Sequence, residues 1–207
     1  MTLADPKGLS DKTPFLRDLI EGAEALIFDC DGTLVASPDL YATGWRQAFS
    51  KAGYSLEPGW YHRRSGLSEQ VLLDEFSQQF GAAFDHRQVI DDMRQGVLDR
   101  LHMLREIGQV AAIARQNAGA KPMAVASSGP RAIVVPSLRT VNLLSCFDAV
   151  VTIEDVAQAK PAPDLFLKAA YLLGVDPENC LVFEDSPQGI LAAKNAGMRC
   201  TDINQLI

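Results

Sequence analysis

The chain has 207 residues, 47% apolar and 22% charged, with 19 Lys and Arg against 26 Asp and Glu for a formal charge of −7. These values suit one globular unit, or one core carrying an insertion, large enough to bury a sizeable interior. An acidic balance without a basic stripe argues against general binding to nucleic-acid backbones, and no run approaches the roughly 20 apolar residues of a membrane span.

Residues 1–13 carry charges, Gly, Pro and Ser but no apolar signal-peptide core, so a mobile lead-in and a cytoplasmic protein are expected. The cysteines at 30, 146, 180 and 200 form no CxxC pair. They read as free, buried thiols in a reducing compartment. Pro14 to Glu21 reads as a short helix. Ala25 to Phe28 is an apolar run of the length expected for a buried strand. It leads directly into Asp29-Cys30-Asp31-Gly32-Thr33. Alternation along a strand puts Asp29 and Asp31 on one side. Two carboxylates about 4 Å apart repel by roughly 4 kcal/mol at an effective dielectric near 20. That cost calls for a shared proton or a metal ion, unless one aspartate is a helix N-cap and the other a solvated turn residue.

After the turn Ala36-Ser37-Pro38-Asp39, the pattern is helical to about Glu106. Leu40, Trp45 and Phe49 fit one helix face. Leu72, Phe76 and Phe80 recur at intervals of four, and Ile90, Met93, Val97, Leu101 and Leu104 at three and four. The second half alternates. Strands are expected at Pro122–Ser127, Phe147–Ile153, Cys180–Glu184 and Arg199–Ile203. Helices are expected at Arg131–Asn142 (kinked at Pro136), Asp164–Leu173 and Pro187–Ala196, the last stopped by Gly197. Such alternation implies right-handed crossovers and a doubly wound parallel α/β sheet. A helical block of about 65 residues therefore interrupts the α/β core after its first strand. The expected division is a core of residues 1–38 and 105–207, with residues 39–104 inserted.

Ligands of open α/β sheets bind beyond the carboxyl ends of the strands. There the first strand delivers Asp29 and Asp31. The second delivers Ser127 and Ser128 at a helix threshold whose amides can hold an anion. Lys160, in Ala159-Lys160-Pro161-Ala162-Pro163-Asp164, follows the third, and the fourth delivers Glu184 and Asp185 ahead of the cap pair Ser186-Pro187. Each has an ordinary structural explanation alone. Together they gather four carboxylates, a hydroxyl and an ammonium on one rim. All-oxygen ligands of this kind select Mg²⁺, and metal, lysine and hydroxyl together receive a phosphoryl group.

In these motifs the chain resembles the haloacid dehalogenase-like hydrolases, in the branch that holds β-phosphoglucomutase and sugar-phosphate phosphatases such as the short fructose-1-phosphate type. The match runs over residues 25–207: DCDGT at 29–33, Ser127, Lys160 in KPAPD, and Glu184-Asp185. The resemblance implies a Rossmann-like core with a small helical cap domain. It implies Asp29 as nucleophile and Asp31 as the acid that protonates the leaving oxygen and then activates water. Ser127 and Lys160 would hold phosphoryl oxygens. Mg²⁺ would lie on Asp29, the main-chain carbonyl of Asp31 and Asp185, with Glu184 assisting. Cys30 falls where the chain points away from the site. Ser128, Arg64 and Gly66 are further candidates for contact with substrate.

Departures from the mutase pattern favour hydrolysis. Tyr41 stands where mutases commonly carry histidine, twelve residues after the nucleophile. Ser65-Gly66-Leu67-Ser68-Glu69 replaces a segment in which lysine and arginine grip a second phosphate, with Arg63 and Arg64 just upstream. Ala36 replaces a usual acid. The expectation is thus a Mg²⁺-dependent, aspartyl-phosphate-forming phosphatase for a small phosphorylated metabolite such as a sugar phosphate, acting as a monomer. The alternatives are a β-phosphoglucomutase-type isomerase and, more remotely, a non-enzymatic phospho-receiver module. His62, His86 and His102 match no ligand spacing.

Overall fold

The computed structural model describes residues 13–206. The expected lead-in lies outside them, except that Thr13 already opens the first helix, α1 (Thr13–Glu21). Among the described residues five parallel strands follow in the chain: β1 (Ala25–Phe28), β2 (Met123–Ala126), β3 (Ala149–Val151), β4 (Cys180–Glu184) and β5 (Arg199–Asp202). They lie side by side in the order β3-β2-β1-β4-β5. β1 is central, pairing with β2 through Leu26–Met123 and with β4 through Ala25–Cys180. Its neighbours on both edges explain why every residue of Ala25–Phe28 is apolar and fully buried.

Alternation sorts the strand side chains into two interiors. Leu26, Phe28, Met123, Val125, Leu181 and Phe183 pack on one face with α5 (Gly108–Asn117) and α6 (Arg131–Thr140). Ala25, Ile27, Ala124, Ala126, Cys180 and Val182 pack on the other with α7 (Asp164–Leu173) and α8 (Pro187–Asn195). Phe28 and Phe183 stack across the sheet with centroids 4.7 Å apart. Cys30 joins the first interior, on the face opposite Ile27.

Several expected boundaries shift. β3 spans only Ala149–Val151, because Thr152 caps a 3₁₀ turn at Ile153–Asp155. Helix α6 continues through Pro136 and ends at Thr140. Helix α5 was not expected; its pattern of Val110, Ala111 and Ala114 is too weakly apolar to stand out. The four cysteines are free, with Cys30 and Cys180 buried but Cys146 and Cys200 only half-buried.

Between β1 and α5 stand three helices: α2 (Pro38–Lys51), α3 (Glu69–Phe80) and α4 (His86–Leu98). They build a third interior from Trp45, Phe49, Trp60, Leu72, Leu73, Phe76, Met93 and Val97, to which α6 adds Ile133. Phe49 and Phe76 stack with centroids 3.9 Å apart. Phe80, expected on this face, is instead 47% exposed. Gly44 permits a close crossing of α2 on α4, since a Cβ there would sit 2.9 Å from the Met93 carbonyl oxygen. The chain enters and leaves the block side by side. The Ala36 amide donates to the Arg105 carbonyl at 2.9 Å and the Ile107 amide to Leu34 at 2.9 Å.

Candidate active site

Asp29 continues β1 by one residue, its amide donating to the Phe183 carbonyl of β4 at 2.9 Å. The residue is 6% exposed. Lys160, on the segment between β3 and α7, donates from Nζ to Asp29 Oδ1 and to Glu184 Oε2, each at 2.6 Å. Phe166 of α7 lies under the ammonium, 4.9 Å away. Burial works against the charge of Lys160, but the two carboxylates outweigh it and raise its pKa. Burial pushes the Asp29 carboxyl well above the usual range, with Glu184 adding to the push and Lys160 opposing it.

Asp31 leaves the strand end on a different set of partners. Ser37, just before α2, donates to its Oδ1 at 2.6 Å, and Ser127 donates to its Oδ2 at 3.2 Å. The Ser127 hydroxyl in turn accepts from the Gly129 amide at 2.9 Å, which fixes it at the end of β2. Burial raises the Asp31 carboxyl, and the two hydroxyls hold that rise back.

Glu184 ends β4 and folds back over the next turn. Its Oε1 accepts from the amides of Asp185 and Ser186 at 3.0 Å each and from the Ser186 hydroxyl at 2.9 Å. The space it occupies exists because α8 carries Gly189, where a Cβ would stand 1.8 Å from Glu184 Oε2. Burial opposes its charge, but Lys160 and the Ser186 groups prevail and hold its pKa below the usual value. Asp185 is anchored by Thr33, whose Oγ1 donates to Oδ1 at 2.9 Å. Gly32, at φ +92°, leaves room for it, since a Cβ there would meet Asp185 Oδ2 at 2.4 Å. Burial and the Glu184 charge push Asp185 up to about 7.

Asp29, Glu184 and Asp185 each bring a carboxylate oxygen to within 4.8 Å of the others. Unit charges at that spacing repel by about 3 kcal/mol per pair at an effective dielectric near 20, and one lysine offsets only part of it. A donor set of oxygens alone, crowded with negative charge, fits a hard divalent cation. The carboxylate of Asp31 stands outside this trio. The resemblance assigned its main-chain carbonyl to the ion.

These side chains face a cavity that the helical block roofs over, with only about 40 Å³ open to the centre of a water-sized sphere. Asp29, Asp31, Ser127, Ser128, Lys160, Glu184, Asp185 and Gly66 all line it. Gly66, at φ +90°, lies against the rim, where a Cβ would be 3.0 Å from Ser186. Arg64 is the expected residue not brought there. Its guanidinium donates to Glu75 at 2.6 Å, to the Trp60 carbonyl at 3.2 Å and to Gln79 at 3.3 Å, and lies 4.1 Å over the Trp60 ring. Arg63 turns to Glu57. Thr33 stands inside the DCDGT motif without a role of its own there, while Ser37 and Gly189 build the site from outside the motifs. Of these two only Gly189 carries a signal, a glycine inside an otherwise good helix start.

A protein-family model described as haloacid dehalogenase-like hydrolase matches residues 23–197. The fructose-1-phosphate phosphatase YqaB of Escherichia coli is 30% identical over 91% of this chain and all of its own length. The validoxylamine A 7′-phosphate phosphatase of Streptomyces hygroscopicus is 28% identical, covering 86% of this chain and 84% of its own. A solved hydrolase from Pseudomonas syringae superposes with a TM-score of 0.79 at 25% identity, over 86% of this chain and 84% of that one.

Proposed function

The chain belongs to the haloacid dehalogenase-like hydrolases, and we propose that it is a Mg²⁺-dependent phosphatase of a small phosphorylated sugar, working through an aspartyl-phosphate on Asp29. The observation that carries this reading is the floor of the cavity. There Asp29 is held by Lys160 through Oδ1 only, while its Oδ2 accepts no hydrogen bond among the described residues. That free oxygen is the nucleophile. It forms the bond to phosphorus as the bond to the substrate's oxygen breaks, and Asp31 gives that leaving oxygen its proton. Asp31 then takes a proton from water, which attacks the aspartyl-phosphate, releases inorganic phosphate and restores the Asp29 carboxylate. A carboxyl raised by burial but held by two hydroxyls suits this double duty. Ser127 and Lys160 orient the phosphoryl oxygens. A divalent ion on Asp29, Glu184 and Asp185, with the main-chain carbonyl of Asp31, would neutralise phosphoryl charge. Residues 39–104 act as a cap that draws back to admit substrate and closes to exclude water.

Hydrolysis is preferred over mutase chemistry because, among the described residues, no arginine or lysine of the helical block lines the cavity to hold a second phosphate. The names of the relatives support a sugar phosphate as substrate. The test is release of inorganic phosphate from a panel of sugar monophosphates with Mg²⁺ and with a chelator. Turnover undiminished by the chelator would overturn the metal assignment. Conversion of β-glucose 1-phosphate to glucose 6-phosphate, primed by bisphosphate and without phosphate release, would overturn hydrolysis.

A further inference from the structure

Three residues that line this cavity each carry a buried polar atom with no hydrogen-bond partner among the described residues: Tyr41 Oη, Trp45 Nε1 and Ser128 Oγ. Their residues are 5%, 1% and 8% exposed. A buried donor left unpaired costs roughly 1–3 kcal/mol, and three on residues lining one cavity point to a place where a ligand completes them. An indole N–H only donates, whereas phenol and serine hydroxyls donate and accept. Such a set matches hydroxyl or ring oxygens. Tyr41 and Tyr61 lie nearly parallel, ring centroids 6.1 Å apart, and Leu67 and Leu72 add apolar wall.

Charge narrows the ligand further. Among the described residues the lining includes five carboxylates, of Asp29, Asp31, Glu69, Glu184 and Asp185, and a single ammonium, that of Lys160. Lys160 is already held by Asp29 and Glu184. Glu69 is bound through both oxygens to Arg94, at 2.9 and 2.5 Å, so that pair brings no free positive charge. Once the phosphoryl group is seated, nothing in the lining remains to neutralise a second anionic group, and burying one unpaired is costly.

Resting on the phosphatase reading, we infer that Tyr41, Trp45 and Ser128 bind the non-phosphate half of the substrate, and that this half is an uncharged, hydroxyl-bearing body. The site selects sugar monophosphates over phosphorylated sugar acids and bisphosphates. Glucose 1-phosphate and glucuronic acid 1-phosphate form a suitable pair, since both are pyranose rings and differ only in a hydroxymethyl or a carboxylate at C6. Their binding is measured calorimetrically on full-length Asp29→Asn with Mg²⁺, so that the comparison does not depend on turnover. At least a tenfold preference for the neutral sugar is expected. Equal binding, or preference for the acid, overturns the inference.

Tyr41→Phe and Ser128→Ala, both close in shape to the native residues, are then assayed on a sugar monophosphate and on p-nitrophenyl phosphate, which has no sugar hydroxyls. The ratio of kcat/KM for sugar over aryl ester should fall by at least fivefold in each. An unchanged ratio assigns these groups to packing and overturns the inference. Failure of the phosphatase reading shows elsewhere, as native protein that releases no inorganic phosphate from either ester.

Discussion

The floor and the roof of the cavity are held by different forces. On the floor, Asp29, Asp31, Thr33, Lys160, Glu184 and Ser186 each have a hydrogen-bond partner, and the residues come from the ends of β1 and β4 and from the segment between β3 and α7. The roof is an aromatic cluster around Phe49, Trp60 and Phe76, in which two cavity-lining members, Tyr41 and Trp45, carry polar atoms left unpaired among the described residues. A floor assembled in advance suits chemistry applied to any phosphate ester, because its groups need no rearrangement when charge moves. A roof with open hydrogen-bonding capacity suits discrimination, because only some ligands complete it.

The widest separation between the two comes from the proposed nucleophile. Asp29→Asn should lower kcat on every phosphate ester by on the order of a thousandfold or more. The thermal midpoint should change little, since the amide oxygen of the variant still accepts from Lys160. Loss confined to one substrate would shift the chemistry from floor to roof. Next in size is Phe49→Ala, which empties the centre of the roof and should cost about 3–5 kcal/mol. Amide exchange should then quicken in α2, α3 and α4 more than in the five strands. Uniform acceleration would mean that roof and floor unfold as one.

The contrast also explains what could be read from the sequence. The strands were legible because β1, β2 and β4 are buried on both faces and so appear as unbroken apolar runs. Their last residues inherit positions at the rim, which is why Asp29, Ser127 and Glu184 were found together. The helices of the roof showed through their spacing, but which way their side chains turn did not. Phe80 and Arg64 have the residue types expected of interior and site, yet Phe80 sits largely in solvent and Arg64 is claimed by Glu75 and the Trp60 ring. Helix α5 escaped notice because small residues such as Ala111 and Ala114 suffice to pack it on the sheet. The roles of Ser37 and Thr33 stay hidden for another reason: they lie in single hydrogen bonds to Asp31 and Asp185, which no periodicity records.

A smaller effect tests whether the floor awaits a cation. Without metal, burial and Glu184 hold Asp185 near 7, and burial raises Asp29 as well. Above about pH 4 the unfolded chain has lost these protons while the folded one keeps them. Stability from these two groups therefore falls as the pH rises from about 4 through 7. Glu184, lowered chiefly by Lys160 against its burial, contributes in the opposite sense, but only at pH below the ordinary glutamate range. A bound cation removes the cost of ionising the pair. Saturating Mg²⁺ should raise the thermal midpoint by several degrees at pH 8, and by clearly less at pH 5.5. Equal gains at both pH values would refute proton–metal competition on the floor.

The smallest expected change lies at the seam. Ser37 stands where the chain leaves the sheet for the roof, and its hydroxyl is one of two that restrain the Asp31 carboxyl. In Ser37→Ala the charged form of Asp31 loses a 2.6 Å hydrogen bond worth about 1 kcal/mol. Its pKa should rise further, and the limb of the kcat/KM profile governed by Asp31 should move to higher pH. At the native optimum the loss should be only severalfold, and it should be the same for an aryl phosphate as for a sugar phosphate, because in the proposed mechanism Asp31 acts on the leaving oxygen of either. A loss that depends on the substrate would place Ser37 with the roof, as a residue that sets how the helical block approaches the sugar.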